Sequence, residues 1–121
     1  MKFSLGKNKK LKSRKAIERL FTDGQSIRKG AVRCVFHMGE RCNSHQMGVS
    51  VSKRYFKKAT DRNRVKRLLR ESYRLQQHQL QTETPLEFLF IYQSGKIPDF
   101  KHCISLVAGL IKELNKRYPS T

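Results

Sequence analysis

The chain has 121 residues, of which 27 are Lys or Arg and 9 are Asp or Glu, giving a formal charge of +18. That length suits one domain burying roughly two-thirds of its unfolded surface, and the longest uninterrupted apolar run, from Phe88 to Tyr92, is far short of the ~20 residues of a membrane-spanning helix. A charge this large repels itself and is most simply neutralised by a polyanion; nucleic acid comes first and an anionic membrane surface second.

Residues 1–12 read as a flexible basic arm with no apolar stretch behind it, unlike a secretory signal, and residues 13–118 as the folded domain. Ser13 is placed to cap a short helix carrying Ile17, Leu20 and Phe21, and Gly24 follows as its stop. From Ala31 to Met38 the chain alternates, with Val32, Cys34, Phe36 and Met38 on one side and Arg33, Val35 and His37 on the other. Residues 39–44 form a polar connection, read as a hairpin. It leads to a second strand in which Met47, Val49 and Val51 alternate with Gly48, Ser50 and Ser52. A long helix is expected from residue 62 to about residue 80, broken at residues 82–85. Residues 87–92 form a short strand apolar on both faces, which predicts a central position. Pro98 and Asp99 start a last helix with Phe100, Ile104, Val107, Ile111 and Leu114 on one stripe. Helices packed on a small sheet make an α+β domain.

The positive charge is concentrated. Residues 1–74 hold 22 basic and 5 acidic side chains, and residues 75–121 hold 5 and 4. Ten of the basic residues lie between Lys53 and Arg74. On the long helix, Val65, Leu68, Leu69, Ser72 and Tyr73 fill one arc, which must face the core. Asn63, Arg64, Lys66, Arg67, Arg70 and Arg74 crowd the other arc, Glu71 being the one acid among them, and Asp61 is placed to cap the start. Like-charged neighbours at i,i+3 and i,i+4 cost a few tenths of a kcal/mol per pair, so a helix selected for stability alone would interleave more acids. Guanidinium forks suit phosphates, and Asn63 can address a base edge or a sugar. If roughly six such side chains neutralise phosphates, affinity falls about a thousandfold between 50 and 200 mM salt. Periodicity does not separate RNA from DNA here. The Gly/Ser face of residues 48–52 leaves a shallow floor for another backbone, with hydroxyls for phosphate or ribose; it equally accommodates a packed helix. Phe21 is placed to stack on an unpaired base or to serve as ordinary core.

Three blocks carry a family resemblance: residues 11–24 with Leu20-Phe21 and then Gly24; Gly48-Val49-Ser50-Val51-Ser52-Lys53; and residues 59–71, with Arg62-Asn63-Arg64 and Lys66-Arg67. In these blocks, over about 100 residues, the sequence resembles the protein subunit of bacterial ribonuclease P. The resemblance implies the order α-β-β-β-α-β-α on a small mixed sheet, with a left-handed βαβ crossover around the arginine-rich helix, a rare hand. It also implies a subunit that binds a large catalytic RNA and helps it remove the 5′ leader of precursor tRNA. The RNA, with Mg2+ that it mainly holds itself, would perform the hydrolysis; the expected catalytic residues in the protein are none.

Carried onto this chain, Lys53, Arg54, Arg62, Asn63, Arg64, Lys66, Arg67, Arg70 and Arg74 would grip the RNA subunit. Lys15, Ile17, Phe21, Val35, Phe36, Ser50 and Ser52 would line the leader cleft. The family often has an aromatic where Ile17 stands and another near Val35 on the first strand. Phe36, of opposite parity to Val35, would reach the cleft only through a one-residue bulge.

Cys34, His37, Cys42 and His45 invite a zinc reading. Cys34 and His37 differ by three along a predicted strand and so point to opposite faces, and no zinc is expected. Three cysteines without an export signal suggest reduced, cytoplasmic thiols. The nine acids are dispersed, which does not favour a nuclease site borne by the protein. A structural RNA-binding protein of the ribosome and, less favoured, a duplex-DNA module are the competing functions; membrane and DNA are not the expected partners.

Overall fold

In a computed structural model the described residues are 14–39 and 44–119. The expected arm at 1–12, the Ser13 cap and Cys42 lie outside them.

The first helix, α1 (Arg14–Asp23), leads into β1 (Gln25–Lys29), β2 (Val32–Met38) and β3 (Gln46–Val51). Helix α2 (Ala59–Gln76) and a 3-10 turn (Gln77–Gln79) follow, then β4 (Leu86–Tyr92) and α3 (Phe100–Arg117). The four strands form one mixed sheet in the order β1-β2-β4-β3. β1 and β4 each run antiparallel to β2, and β3 runs parallel to β4, so α2 is the connection of a parallel β3-α2-β4 unit.

Residues 39–44 therefore do not close a hairpin between β2 and β3, because β4 lies between those strands. The reason is burial. Phe88 and Phe90 point to one face and Leu89 to the other, and all three are buried; only an inner position covers both faces of a strand. β4 takes that position and β3 moves to the edge. The actual hairpin joins β1 to β2 through Gly30 and Ala31, with Gly30 at φ 56, the backbone that a tight hairpin turn requires and only glycine adopts freely. Periodicity did not locate β1, whose residues are exposed except for half-buried Ile27.

One face of the sheet carries the main core. α2 lies over the β3 side and α3 over β1 and β2. Val65, Leu69 and Tyr73 of α2 pack with Val107, Leu110 and Leu114 of α3 on Val32, Cys34, Phe36, Phe88 and Phe90. Tyr73 meets the Phe88 ring edge-on at 5.3 Å. Ser72 donates its hydroxyl to the Leu68 carbonyl at 2.7 Å, and the Gln76 amide donates to the Ile104 carbonyl at 3.0 Å, so the polar residues of the buried arc are satisfied. The α3 stripe is rotated from expectation: Cys103 and Leu110 join Val107, Ile111 and Leu114, while Phe100 is exposed. Asp99 caps α3, accepting from the His102 N–H at 2.7 Å.

The other face carries a much smaller cluster, in which Ala16 and Leu20 of α1 pack on Val35 and Leu89, flanked by Ile17 and Ile91. Gly24 ends α1 at a close approach and not through a left-handed backbone: a Cβ there would stand 2.3 Å from the Leu20 carbonyl oxygen and 2.9 Å from that of Phe36.

Candidate nucleic-acid interface

Helix α2 starts at Ala59, three residues before the expected start, with Lys58 as its N-cap and no side-chain capping bond. Asp61 therefore sits inside the first turn, where its charge suits the helix dipole, and is not the cap. The regular α-helix also stops at Gln76, the expected extension to about residue 80 being the 3-10 turn.

The opposite arcs of α2 follow the sequence pattern. Val65, Leu69, Ser72 and Tyr73 are buried, Leu68 is half-buried, and Asn63, Arg64, Arg67 and Arg70 are exposed, with Lys66 half-buried beside them. The one ion pair among the described residues joins Arg74 to Glu71, at 2.8 and 2.9 Å from Nε and Nη2. Each partner shifts the other: Arg74 holds the Glu71 carboxyl below its ordinary range, and Glu71 raises Arg74.

Two of the arginines expected to grip RNA thus have structural partners. Arg74 is held by Glu71, and Arg62 Nη1 donates to the Phe56 and Lys57 carbonyls at 2.8 and 2.9 Å. Arg62 fastens the turn between β3 and α2. In that turn the Tyr55 and Phe56 N–H groups donate to the Ser52 carbonyl, and Phe56 stacks on Tyr92 with ring centroids 6.3 Å apart. The turn carries Lys53 and Arg54, both exposed, the Arg54 guanidinium lying 5.8 Å from the Tyr55 ring centroid. Arg64, Lys66, Arg67 and Arg70, with Lys53 and Arg54 at the β3 edge, make up a cationic surface without ion-pair partners among the described residues.

The residues expected in the cleft are divided by the fold. Ile17 packs at the edge of the cluster beneath α1, and Phe21, one helical turn on, is 56% exposed. Lys15 is exposed but lies about 200° around α1 from Ile17, on the other flank. Ser50 pairs with Ile91 and is half-exposed on the α1 face. Ser52 has passed the end of β3, and its hydroxyl accepts from the Arg54 N–H at 3.1 Å, a turn contact.

Phe36 is a correction. It is fully buried on the α2–α3 face, edge-on to Tyr118 and beneath the Arg117 guanidinium. The β2–β4 register runs unbroken from Val32↔Tyr92 to Met38↔Leu86, so no bulge turns Phe36 toward α1. Val35 does face α1, but at 2% exposure it is packing beneath that helix and not open cleft. The exposed aromatic on this side is Phe21.

Sequence reasoning passed over Arg28 and Arg33. The pairings Arg28↔Arg33, Arg33↔Ile91 and Ser50↔Ile91 set Arg28, Arg33, Ile91 and Ser50 in one row across all four strands on the α1 face. The signal available was parity: Arg33 shares the face of Val35 in an otherwise apolar strand. Arg28 had none without β1.

Of the zinc quartet, Cys34, His37 and His45 are among the described residues. Cys34 is in the core, where burial pushes its thiol up, and His37 is on the other face of β2. His45 Nδ1 accepts from the Leu86 N–H at 3.0 Å. No helix of the described residues is long and apolar enough to cross a membrane.

A model of the family described as Ribonuclease P matches residues 5–115. The ribonuclease P protein component of Porphyromonas gingivalis (strain ATCC 33277) is 36% identical over 106 residues, 82% of this chain and 77% of the relative. That of Clostridium botulinum (strain Loch Maree) is 33% identical over 108 residues, 88% and 95% of the two chains. In fold, the RNase P protein from Thermotoga maritima matches with a TM-score of 0.75 at 21% identity, covering 86% of this chain and 96% of that one. The Staphylococcus aureus RNase P protein matches with 0.75 at 18% identity, covering 87% and 94%. With most of its length matched in sequence and in fold, the chain belongs to the ribonuclease P protein family, the protein components of the ribonucleoprotein endoribonuclease of tRNA processing.

Proposed function

We infer that this chain acts through two separate surfaces, one for the RNA subunit and one for the 5′ leader of precursor tRNA. The exposed arc of α2, through Asn63, Arg64, Lys66, Arg67 and Arg70, takes phosphates of the folded RNA subunit, with Lys53 and Arg54 extending it at the β3 edge. On the opposite side of the sheet, the groove beside α1 takes the single-stranded leader, with Phe21 offering a ring for stacking and Ser50 a hydroxyl.

The observation that carries this reading is the α2 arc itself: consecutive turns of exposed arginine, Arg64, Arg67 and Arg70, with no ion-pair partner among the described residues, on a helix whose other arc packs on the core. Such an arc costs stability in the free chain and is repaid by a polyanion. The described residues do not gather His, Cys, Asp or Glu into a group of three. Mg2+ is assigned to the RNA, and no step of the protein's action runs through it. The protein's part is charge neutralisation and positioning of the substrate.

The test is reconstitution with the RNA subunit and a precursor tRNA at near-physiological magnesium. Added protein is expected to raise both cleavage and substrate affinity; an RNA whose cleavage and binding are indifferent to it would refute the reading.

A further inference from the structure

Two arginines face each other on neighbouring strands at the end of the groove that Ser50 opens. Arg28 and Arg33 are direct cross-strand partners on the α1 face, and like charges so placed destabilise a sheet. Neither is neutralised by an acid among the described residues. Arg28 is instead oriented by a neutral group, its Nη2 donating to Gln93 Oε1. Gln93 is itself fixed, its N–H donating to the Ala31 carbonyl at 2.8 Å. Together with Ser26 and Ile27 these residues line an open depression of about 430 Å³. A pair of guanidinium groups, one held in place by an amide, around a cavity with no counter-charge is a preorganised anion site.

Position gives the class of anion. Ser50, Ile91, Arg33 and Arg28 lie on one line across the sheet. Neighbouring strands are about 4.8 Å apart, which puts Arg33 about 10 Å and Arg28 about 14 Å from Ser50. At no less than about 3.4 Å per nucleotide of a stacked strand, Arg33 lies at most about three nucleotides beyond Ser50. Ile17 of α1 and Ile91 of this row both flank the cluster beneath α1, so that helix walls the track.

Resting on the two-surface reading above, we propose that Arg28 and Arg33 form a phosphodiester subsite that holds the leader up to about three to four nucleotides beyond the Ser50 position. The strand crosses the sheet from β3 toward β1 along the flank of α1. The subsite reads charge and not base, because its two guanidinium groups only donate and Gln93, the amide that lines the depression with them, is engaged by Arg28.

The experiment uses the reconstituted holoenzyme, with two precursor tRNAs that differ only in leader length, one long and one of about a single nucleotide. Arg33→Gln is expected to weaken the long-leader substrate about tenfold, to leave the truncated one unchanged, and to leave affinity for the RNA subunit unchanged. The log–log salt slope for the long leader should flatten by about 0.7. Arg28→Gln, at an exposed strand end, gives the same pattern and serves should Arg33→Gln fold poorly; Arg33→Lys should restore part of the loss. A neutral methylphosphonate scanned through the leader should weaken wild-type binding at one position and have no further effect in the double variant.

Equal losses on both substrates, no loss at all, or a loss of RNA-subunit affinity would each overturn the subsite. If the wild-type holoenzyme does not distinguish the two leaders, the leader groove itself falls. If it does and both glutamine variants keep that distinction, only the arginine subsite falls.

Discussion

Arg62 stands in the most distinctive stretch of the sequence, yet its guanidinium is turned toward its own backbone. Nη1 donates to the Phe56 carbonyl, partly buried, and to the Lys57 carbonyl, exposed. A hydrogen bond to a charged group contributes about 1.5–3 kcal/mol when sheltered and less when exposed, so the two together come to about 2 kcal/mol. Arg62→Ala also loosens the turn that seats Phe56 on Tyr92. For a domain of this size each kcal/mol moves Tm by about 4 °C, so Arg62→Ala should melt about 8 °C below the parent. Arg67→Ala is the control. It removes an equal charge from the exposed arc with no partner among the described residues, and surface changes of that kind stay within about 0.5 kcal/mol. The assay is thermal unfolding of the free protein by circular dichroism, followed by RNA-subunit binding well below both melting temperatures. Arg62→Lys should fall between, since an ammonium keeps the charge but not the planar reach. If Arg62→Ala and Arg67→Ala melt together, Arg62 is an RNA contact only and the structural role is refuted.

Arg64→Ala or Arg67→Ala should each flatten the salt slope for RNA-subunit binding by about 0.9, while Phe21→Ala should leave that slope alone and weaken leader binding; equal effects of both on one ligand would merge the two surfaces. Gly24→Ala forces a methyl against two carbonyl oxygens and should cost about 1–3 kcal/mol, read as a lower melting temperature, because the backbone of α1 or β2 must shift. Burial lowers His45 below its ordinary 6.5, against a backbone hydrogen bond at Leu80 that raises it. The unfolded chain then binds the proton more readily, so stability is full above about pH 6.5 and declines as pH falls below it; His45→Gln should remove that part of the pH dependence in urea titrations between pH 5 and 7.

Some of this protein follows from local rules. The period of α2 alone separated a core arc from a cationic one, because 3.6 residues per turn sorts side chains wherever the helix lies. Alternation put Cys34 and His37 on opposite faces, and the doubly apolar run at 87–92 placed its strand inside the sheet. Gly24 was legible as a stop, though for the wrong reason, since its neighbour Phe36 comes from another element.

Other features belong to the tertiary structure. Strand order is a competition among strands for covered positions: β4 needs two buried faces, so it displaces β3 and converts an expected hairpin into a parallel crossover. The same competition decided which aromatic faces α1, because an unbroken β2–β4 register leaves Phe36 in the core. Whether an arginine is available to a ligand depends on which carbonyls or carboxylates approach it, and for Arg62 and Arg74 the chain provides its own. The row from Ser50 to Arg28 unites residues from four strands, and spacing along a chain carries no information about which strands lie side by side.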